Sequence, residues 1–337
     1  MINSIHHLTT SLLSGIGELD IRKLSVIRPL LRYLATDILH NKDIRTPNFR
    51  SFAFMTEDLI LAGIVTARID PALRVLSIAA CVNPIRSLDD MPYICELQYP
   101  KSSGSTDYFL IRSEPTPSWR PPPGSGAPFY CSRKDFIFTI SVRYSSDQIQ
   151  EGTVLFVPLS TLLLEAERSR HVPRRDVAWK DWGPSGARMV CKEPSETWVC
   201  YNYGMKFVHG LQWDGRQVAR IYDFNPYAAK KHVKSTIDPS ISWKLLVAAS
   251  EPSSRCEIFE EDVVTTLPGR VTNFKLGSSC RAVGAGWEAV MIGEDHILMV
   301  QVRTPIRIIL ITPTQLISSF FVSVRQSVSN QYGYMAM

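Results

Sequence analysis

No two cysteines of this sequence have the C-x-x-C spacing of a zinc site or a dithiol motif. The seven stand at Cys81, Cys95, Cys131, Cys191, Cys200, Cys256 and Cys280. An odd and scattered set argues against a disulfide framework and fits a reducing compartment. Histidine is as sparse, with seven residues and neither an H-E-x-x-H nor an H-x-H spacing, so no metal is expected. Neither G-x-x-x-x-G-K-[ST] nor G-x-G-x-x-G occurs, and no nucleotide or other cofactor is expected. The first residues lack a basic stretch followed by a sustained apolar one, which speaks against a secretory leader. Charge of one sign is lacking too: 37 Lys and Arg against 32 Asp and Glu leave +5, too little for a strong nucleic-acid footprint. The late apolar stretch IRIILITPTQLISSFFVSV is broken by Thr312, Pro313, Thr314, Gln315 and two serines. It predicts a buried strand and a turn instead of a spanning helix. The expectation is a protein without membrane spans, in cytoplasm or nucleus.

What the sequence has is a 337-residue chain, 45% hydrophobic and 20% charged, which is the texture of a folded protein. Helical periodicity is confined to Ile21–Leu39, where Leu24, Ile27, Leu31, Leu34 and Ile38 share a face, Asp20 can cap and Pro29 divides. Beyond it, short β-branched and aromatic runs recur between turn residues. They include DLILAGIV, RVLSI, YFLIR, FIFTISVR, TVLFV, TWVCY, QVARIYDF, WKLLVAA, EIFEEDVV, EAVMI, HILMVQV and IRIILI. FIFTISVR sets Phe136, Phe138, Ile140 and Val142 against Thr139, Ser141 and Arg143, the alternation of a half-buried strand. Pro115–Pro128 reads as a long exposed loop. Such a series predicts an all-β fold, a degenerate β-propeller of roughly six or seven blades at about 40–45 residues each. A short helical segment over 1–48 precedes it, the propeller-like domain covers 49–325, and a tail covers 326–337.

The chemistry-bearing candidates are few. GPSGA at Gly183–Ala187 is one residue away from G-x-S-x-G, but a nucleophilic Ser185 needs a strand before it and a helix after it. HVPRRDVAWKDW holds no strand run, RMVCKEP is too short for a helix, and Pro184 with Gly186 predicts a tight turn. Asp89-Asp90 and the FEED of Phe259–Asp262 pair carboxylates that point apart on an extended chain. No catalytic residue is assigned. Two basic clusters, Arg168, Arg170, His171, Arg174 and Arg175, and Lys230, Lys231, His232 and Lys234, read as solvated loops or as contacts for an acidic partner or RNA.

WKDWGPSGARM from Trp179, TWVCYNYGMKFV from Thr197, IYDFNPYAAKK from Ile221, VLFVPLSTLL from Val154 and EEDVVTTLPGR from Glu260 together give the chain a family likeness. From Thr56 to Val302 it resembles the F-box-associated proteins of mushroom-forming fungi, whose C-terminal region is expected to be a degenerate β-propeller. The resemblance implies an adaptor without catalytic activity, whose propeller-like part recognises the target of a ubiquitin ligase. A Skp1-type adaptor would be a partner only where an F-box is present. Nothing in Met1–Arg50 matches the Leu-Pro-x-Glu start of that module, so it is expected to be lost or to lie upstream. Trp179, Trp182, Arg188, Arg174 and Arg175 are the candidate partner-binding residues, and a tryptophan role in plugging a seam between blades stands beside that one. A propeller hydrolase with an unrecognised site and an RNA-binding propeller are the alternative readings.

Overall fold

The computed structural model describes residues 48–66, 70–78, 92–114, 135–146, 150–172, 174–191, 201–213, 216–227, 241–246, 256–275, 289–293, 297–301, 306–311 and 320–324. The helix expected over Ile21–Leu39, Asp89-Asp90, the Pro115–Pro128 loop, the Lys230–Lys234 cluster and the tail lie outside them. Within them the chain is mostly strand, which makes it all-β, and its sheets follow one another along the sequence.

Sheet 1 is the meander β1 (Asn48–Phe54), β2 (Leu59–Val65), β3 (Pro71–Ser77) and β4 (Tyr93–Gln98). Its outer edge is completed in parallel by β8 (Arg175–Val177). Sheet 2 runs β5 (Ser105–Arg112), β6 (Ile137–Ser145), β7 (Gln150–Pro158) and β9 (Arg188–Cys191). Between β7 and β9 the chain forms α1 (Leu159–Arg168), contributes β8 to sheet 1, and returns through α2 (Trp179–Gly186). Sheet 3 holds β10 (Asn202–Tyr203), β11 (Lys206–Trp213), β12 (Arg216–Asp223), β14 (Gly269–Lys275) and β13 (Ile241–Leu246), in that spatial order. Sheet 4 is the meander β15 (Ala289–Ile292), β16 (Ile297–Gln301), β17 (Ile306–Ile311) and β18 (Phe320–Val324). The described residues thus form four sheets where the even-spacing estimate gave six or seven blades. Sheets 2 and 3 each absorb long insertions, so one sheet takes far more chain than a regular blade.

Two cores follow from the period-two alternation of the strands. Phe136, Phe138, Ile140, Val142 and Tyr144 point from sheet 2 toward Leu61, Leu73, Val75, Cys95 and Leu97 of sheet 1. Ile137, Val154 and Phe156 point from the opposite face of sheet 2 toward Phe207, Tyr222 and Phe224 of sheet 3. The Phe156 ring lies 5.0 Å from Phe207, 5.3 Å from Tyr222 and 4.9 Å from Phe224. Fully burying each such ring contributes about 1.5–3 kcal/mol. β6 is therefore not half-buried as its alternation suggested: Thr139 is 0% exposed and Ser141 3%, because sheet 3 covers the polar side as well. Sheet 1 is also buried on both faces, with Phe52, Ile60, Ala62, Ile64 and Leu76 inaccessible on the side away from sheet 2.

One extended segment ties these layers together. Residues 256–268, between β13 and β14, leave sheet 3 and run back over sheets 1 and 2. Ser103 N donates to the Ile258 carbonyl (2.8 Å) and Glu260 N to that of Lys101 (3.1 Å), pinning the turn between β4 and β5. Ile258 N donates to Glu151 Oε2 at the start of β7 (3.1 Å), and Phe259 sets its ring against Tyr144, 5.5 Å away. Cys256 is disulfide-bonded to Cys191 at the end of β9, with Cα atoms 5.6 Å apart. Two expectations are corrected here. EIFEEDVV is a strap and not a strand, since its donors and acceptors go to loops and side chains. The cysteines are not all unpaired, because partners 65 residues apart meet only when the strap folds back.

Gly63 on β2 and the Phe109 ring of β5 occupy one space, for a Cβ at residue 63 would overlap the ring edge. Gly63→Ala is expected to lower stability by about 1–3 kcal/mol; an unchanged denaturant midpoint would show that sheets 1 and 2 do not approach this closely.

Burial raises the Tyr99, Tyr144 and Tyr201 hydroxyls above the usual phenol value and pushes the Cys95 thiol up to about 11. The folded chain keeps these protons where the unfolded chain has begun to lose them. Stability is therefore full below about pH 9 and falls above it, as the unfolded state binds fewer protons. Thermal melts across pH 7–11 are expected to hold level and then decline on the alkaline side; a flat profile would contradict the burial of these four groups.

Candidate functional site

The sequence Trp179-Lys-Asp-Trp-Gly-Pro-Ser-Gly folds as a helix, correcting the expected tight turn. Its composition is explained by contacts at helical spacing. The Trp179 ring lies on Gly183, where a Cβ would collide with it, and meets Trp182 edge-on at 5.1 Å. Trp182 is 2% exposed and its Nε1 donates to the Gln98 carbonyl at the end of β4 (3.0 Å). Trp179 is half-buried against Tyr99. Asp181 sits in the first turn, where it favours the positive end of the helix dipole. Helix carbonyls near the C-terminus lack intrahelical donors. Pro184 O accepts from both the amide (2.8 Å) and the hydroxyl (3.0 Å) of Thr266, and Gly186 O accepts from the Thr161 hydroxyl (3.0 Å). Ser185 is exposed in the last turn, with a helix before it and β9 after it. That order is the reverse of what a nucleophile elbow requires.

Arg188 is 4% exposed, and its Nη1 donates to the Thr265 carbonyl (2.7 Å) while Met189 N donates to the Thr265 hydroxyl (3.0 Å). Burial pulls its guanidinium below the ordinary value. Trp182 and Arg188, both candidates for binding a partner, are inside the protein and hold the strap and β4 in place. The tyrosine-aspartate motif at Tyr222 is also structural. Asp223 accepts from Asn225 N (3.0 Å) and pairs with Arg270 opposite it on β14 (3.4 Å), and Asn225 accepts from Tyr227 N (2.9 Å). Three of these motifs thus bond to one another: WKDWGPSGARM to TTLPGR through Arg188, and TTLPGR to YDFNP through Arg270.

The surface feature that emerges lies at the edge of sheet 1. Arg74 of β3 stands opposite Glu96 of β4, and Glu96 opposite Asp176 of β8. Arg74 Nε donates to Glu96 Oε2 (2.7 Å), a pair whose side chains are only 8% and 10% exposed. The Tyr93 ring takes the Arg74 guanidinium at 4.6 Å and that of Arg174 at 5.6 Å. Burial raises the Tyr93 hydroxyl, against the opposing pull of Arg74. Arg174 is exposed and has φ of 57°, a left-handed backbone that an L-residue other than glycine holds at a strain of about 1–3 kcal/mol. Arg175 diverges from it: its register partner is Cys95, whose side chain lies in the core between sheets 1 and 2. The two arginines therefore do not form one patch. Lys230 and Lys231, which an RNA-binding face would need beside them, lie outside the described residues. Glu260, Glu261 and Asp262 are exposed on the strap. Among the described residues no group of three or more His, Cys, Asp or Glu is placed to hold a metal, and no helix is long and apolar enough to cross a membrane.

Sequence reasoning missed Tyr93, Arg74 and Glu96. The signal was there: PALRVLS and YICELQ each set one charge inside an apolar strand, which demands a buried partner. No protein-family model and no curated protein matches the chain.

Arg188→Met roughly keeps the volume but removes the guanidinium hydrogen bond to the Thr265 carbonyl, and is expected to lower stability by about 1–3 kcal/mol. Arg174→Met, at the surface, should stay within about 0.5 kcal/mol of the parent. Equal midpoints for the two variants would refute the division between structural and surface arginines.

Proposed function

We propose that the chain is a protein-interaction module on a degenerate β-propeller-like scaffold, the target-recognition part of an F-box-type ubiquitin-ligase adaptor. The scaffold reading is supported by the order of stacking. β1 lies beside β5, β10 beside β6, and β10 and β11 beside β15, so first or second strands of successive sheets neighbour one another, as strands near the axis of a propeller do. Sheets 1 and 2 are each buried on both faces, as blades of a stack are.

The observation that carries the functional reading is the Tyr93–Arg174 contact. Arginine and tyrosine are the favoured anchors of protein interfaces, and a rigid aromatic face that pre-orients a guanidinium lowers the ordering needed on binding. Arg174 is held in a strained conformation at a sheet edge, and strain of this kind is retained where a function uses it. The bound partner is expected to place a carboxylate or backbone carbonyls against the guanidinium.

A photo-crosslinking residue in place of Arg174, in the product of the full transcript, is expected to capture a target, with capture reduced at least about fivefold by Tyr93→Ala. The same product is expected to co-purify with Skp1. Crosslinking indifferent to residue 93, together with absence of Skp1, would refute the adaptor reading.

A further inference from the structure

The cysteine pattern fits a reducing compartment, yet Cys191 and Cys256 are positioned as a disulfide at the point where the strap meets β9. The bond has a particular mechanical place. β9 is the edge strand of sheet 2, paired with β7 from Thr153–Cys191 to Phe156–Arg188. Cys256 opens the strap, two residues before Ile258, which is 0% exposed and grips both the β4–β5 turn and Glu151. Farther along, the strap is fastened a second time by Thr265 and Thr266 to Arg188, Met189 and Pro184. The far attachment is made by hydrogen bonds and packing, while the near one also has a covalent link.

We propose that Cys191–Cys256 is a redox clasp: as a disulfide it locks the strap across sheets 1 and 2, and as a dithiol it lets the segment from Cys256 to Glu260 open. Closure uses a small-molecule disulfide as oxidant. The thiolate of Cys191, the more exposed of the two, attacks one sulfur of that disulfide and expels a thiolate, forming a mixed disulfide. The Cys256 thiolate then attacks the Cys191 sulfur and expels the second small thiolate. Two protein thiols are oxidised by two electrons, and one small disulfide is reduced to two thiols. Cys95 stays out of this exchange, since it is buried 0% exposed in the core between sheets 1 and 2 and burial keeps its thiol protonated.

The opening has a defined reach. The amides of Ser103, Ile258 and Glu260 lose their acceptors or their position, and the β4–β5 turn is freed from the strap. The Arg188–Thr265 attachment stays closed, so the change is local.

The test uses the intact chain in glutathione buffers of graded ratio. Differential alkylation followed by mass mapping should show Cys191 and Cys256 changing together. Hydrogen exchange at Ile258 and Glu260 should be at least about tenfold slower in the oxidised form, with Thr266 and Leu267 little changed. Cys256→Ser should match the reduced parent at every ratio; where that variant does not fold, reduced against oxidised parent supplies the comparison. A disulfide mapping to another pair, or equal exchange at Ile258 in both forms, overturns the proposal.

Discussion

Sheets that succeed one another along a chain are held at first only by the apolar side chains between them. Here the constraint that fixes their relation is the path of residues 256–268, which leaves sheet 3 to be hydrogen-bonded to the other two. A buried guanidinium, that of Arg188, meets this path at the Thr265 carbonyl. Removing such a group from water is expensive and it must find acceptors inside. Because the strap supplies one, it is fixed over β9. With the strap in place, Phe259 closes over Tyr144 and Leu267 N reaches the Ala187 carbonyl (3.2 Å), so the first core and the end of α2 are sealed by a segment from another sheet.

The same logic of buried charge organises the edge of sheet 1. Arg74 and Glu96 neutralise each other in a row across β3 and β4, and their pairing sets a cation over the Tyr93 ring without exposing an apolar strand. Arg174 then adds a second cation on a loop that reaches this edge only because the connection from β7 to β9 detours to contribute β8. Structure and surface chemistry are thus linked: the detour that completes sheet 1 also delivers the exposed arginine.

Alternation and turn chemistry made most of the strands legible, β2, β5, β6, β7, β12 and β17 among them, because each combines apolar periodicity with flanking polar residues. The elements that were missed have identifiable causes. α1 begins directly after Pro158 and repeats leucines at helical spacing, but its apolar start merges with β7 into one run. β8 and β9 are three and four residues long, too short for any period to register. The strap carries the β-prone residues Val263, Val264, Thr265 and Thr266, and the backbone of the last two bonds to the Arg188 guanidinium and the Pro184 carbonyl, far away in sequence. The site was half legible: the motif-bearing tryptophan and arginine were noticed, but their burial depends on Gln98 and Thr265, and no local pattern announces partners that distant.

The strap also dictates an order of events during synthesis. The turn at Lys101–Gly104 is bonded to Ile258, and the two are separated by 155 residues. As the chain emerges, sheets 1 and 2 are complete long before their cover exists, with Tyr144 and the end of β9 uncovered until sheet 3 is well under way. Long-range closure of this kind comes late and slowly. A nascent or prematurely ended chain that stops before residue 256 therefore presents an open seam between its first two sheets, and such a product would be recognisable to the cell's folding machinery as incomplete by that seam.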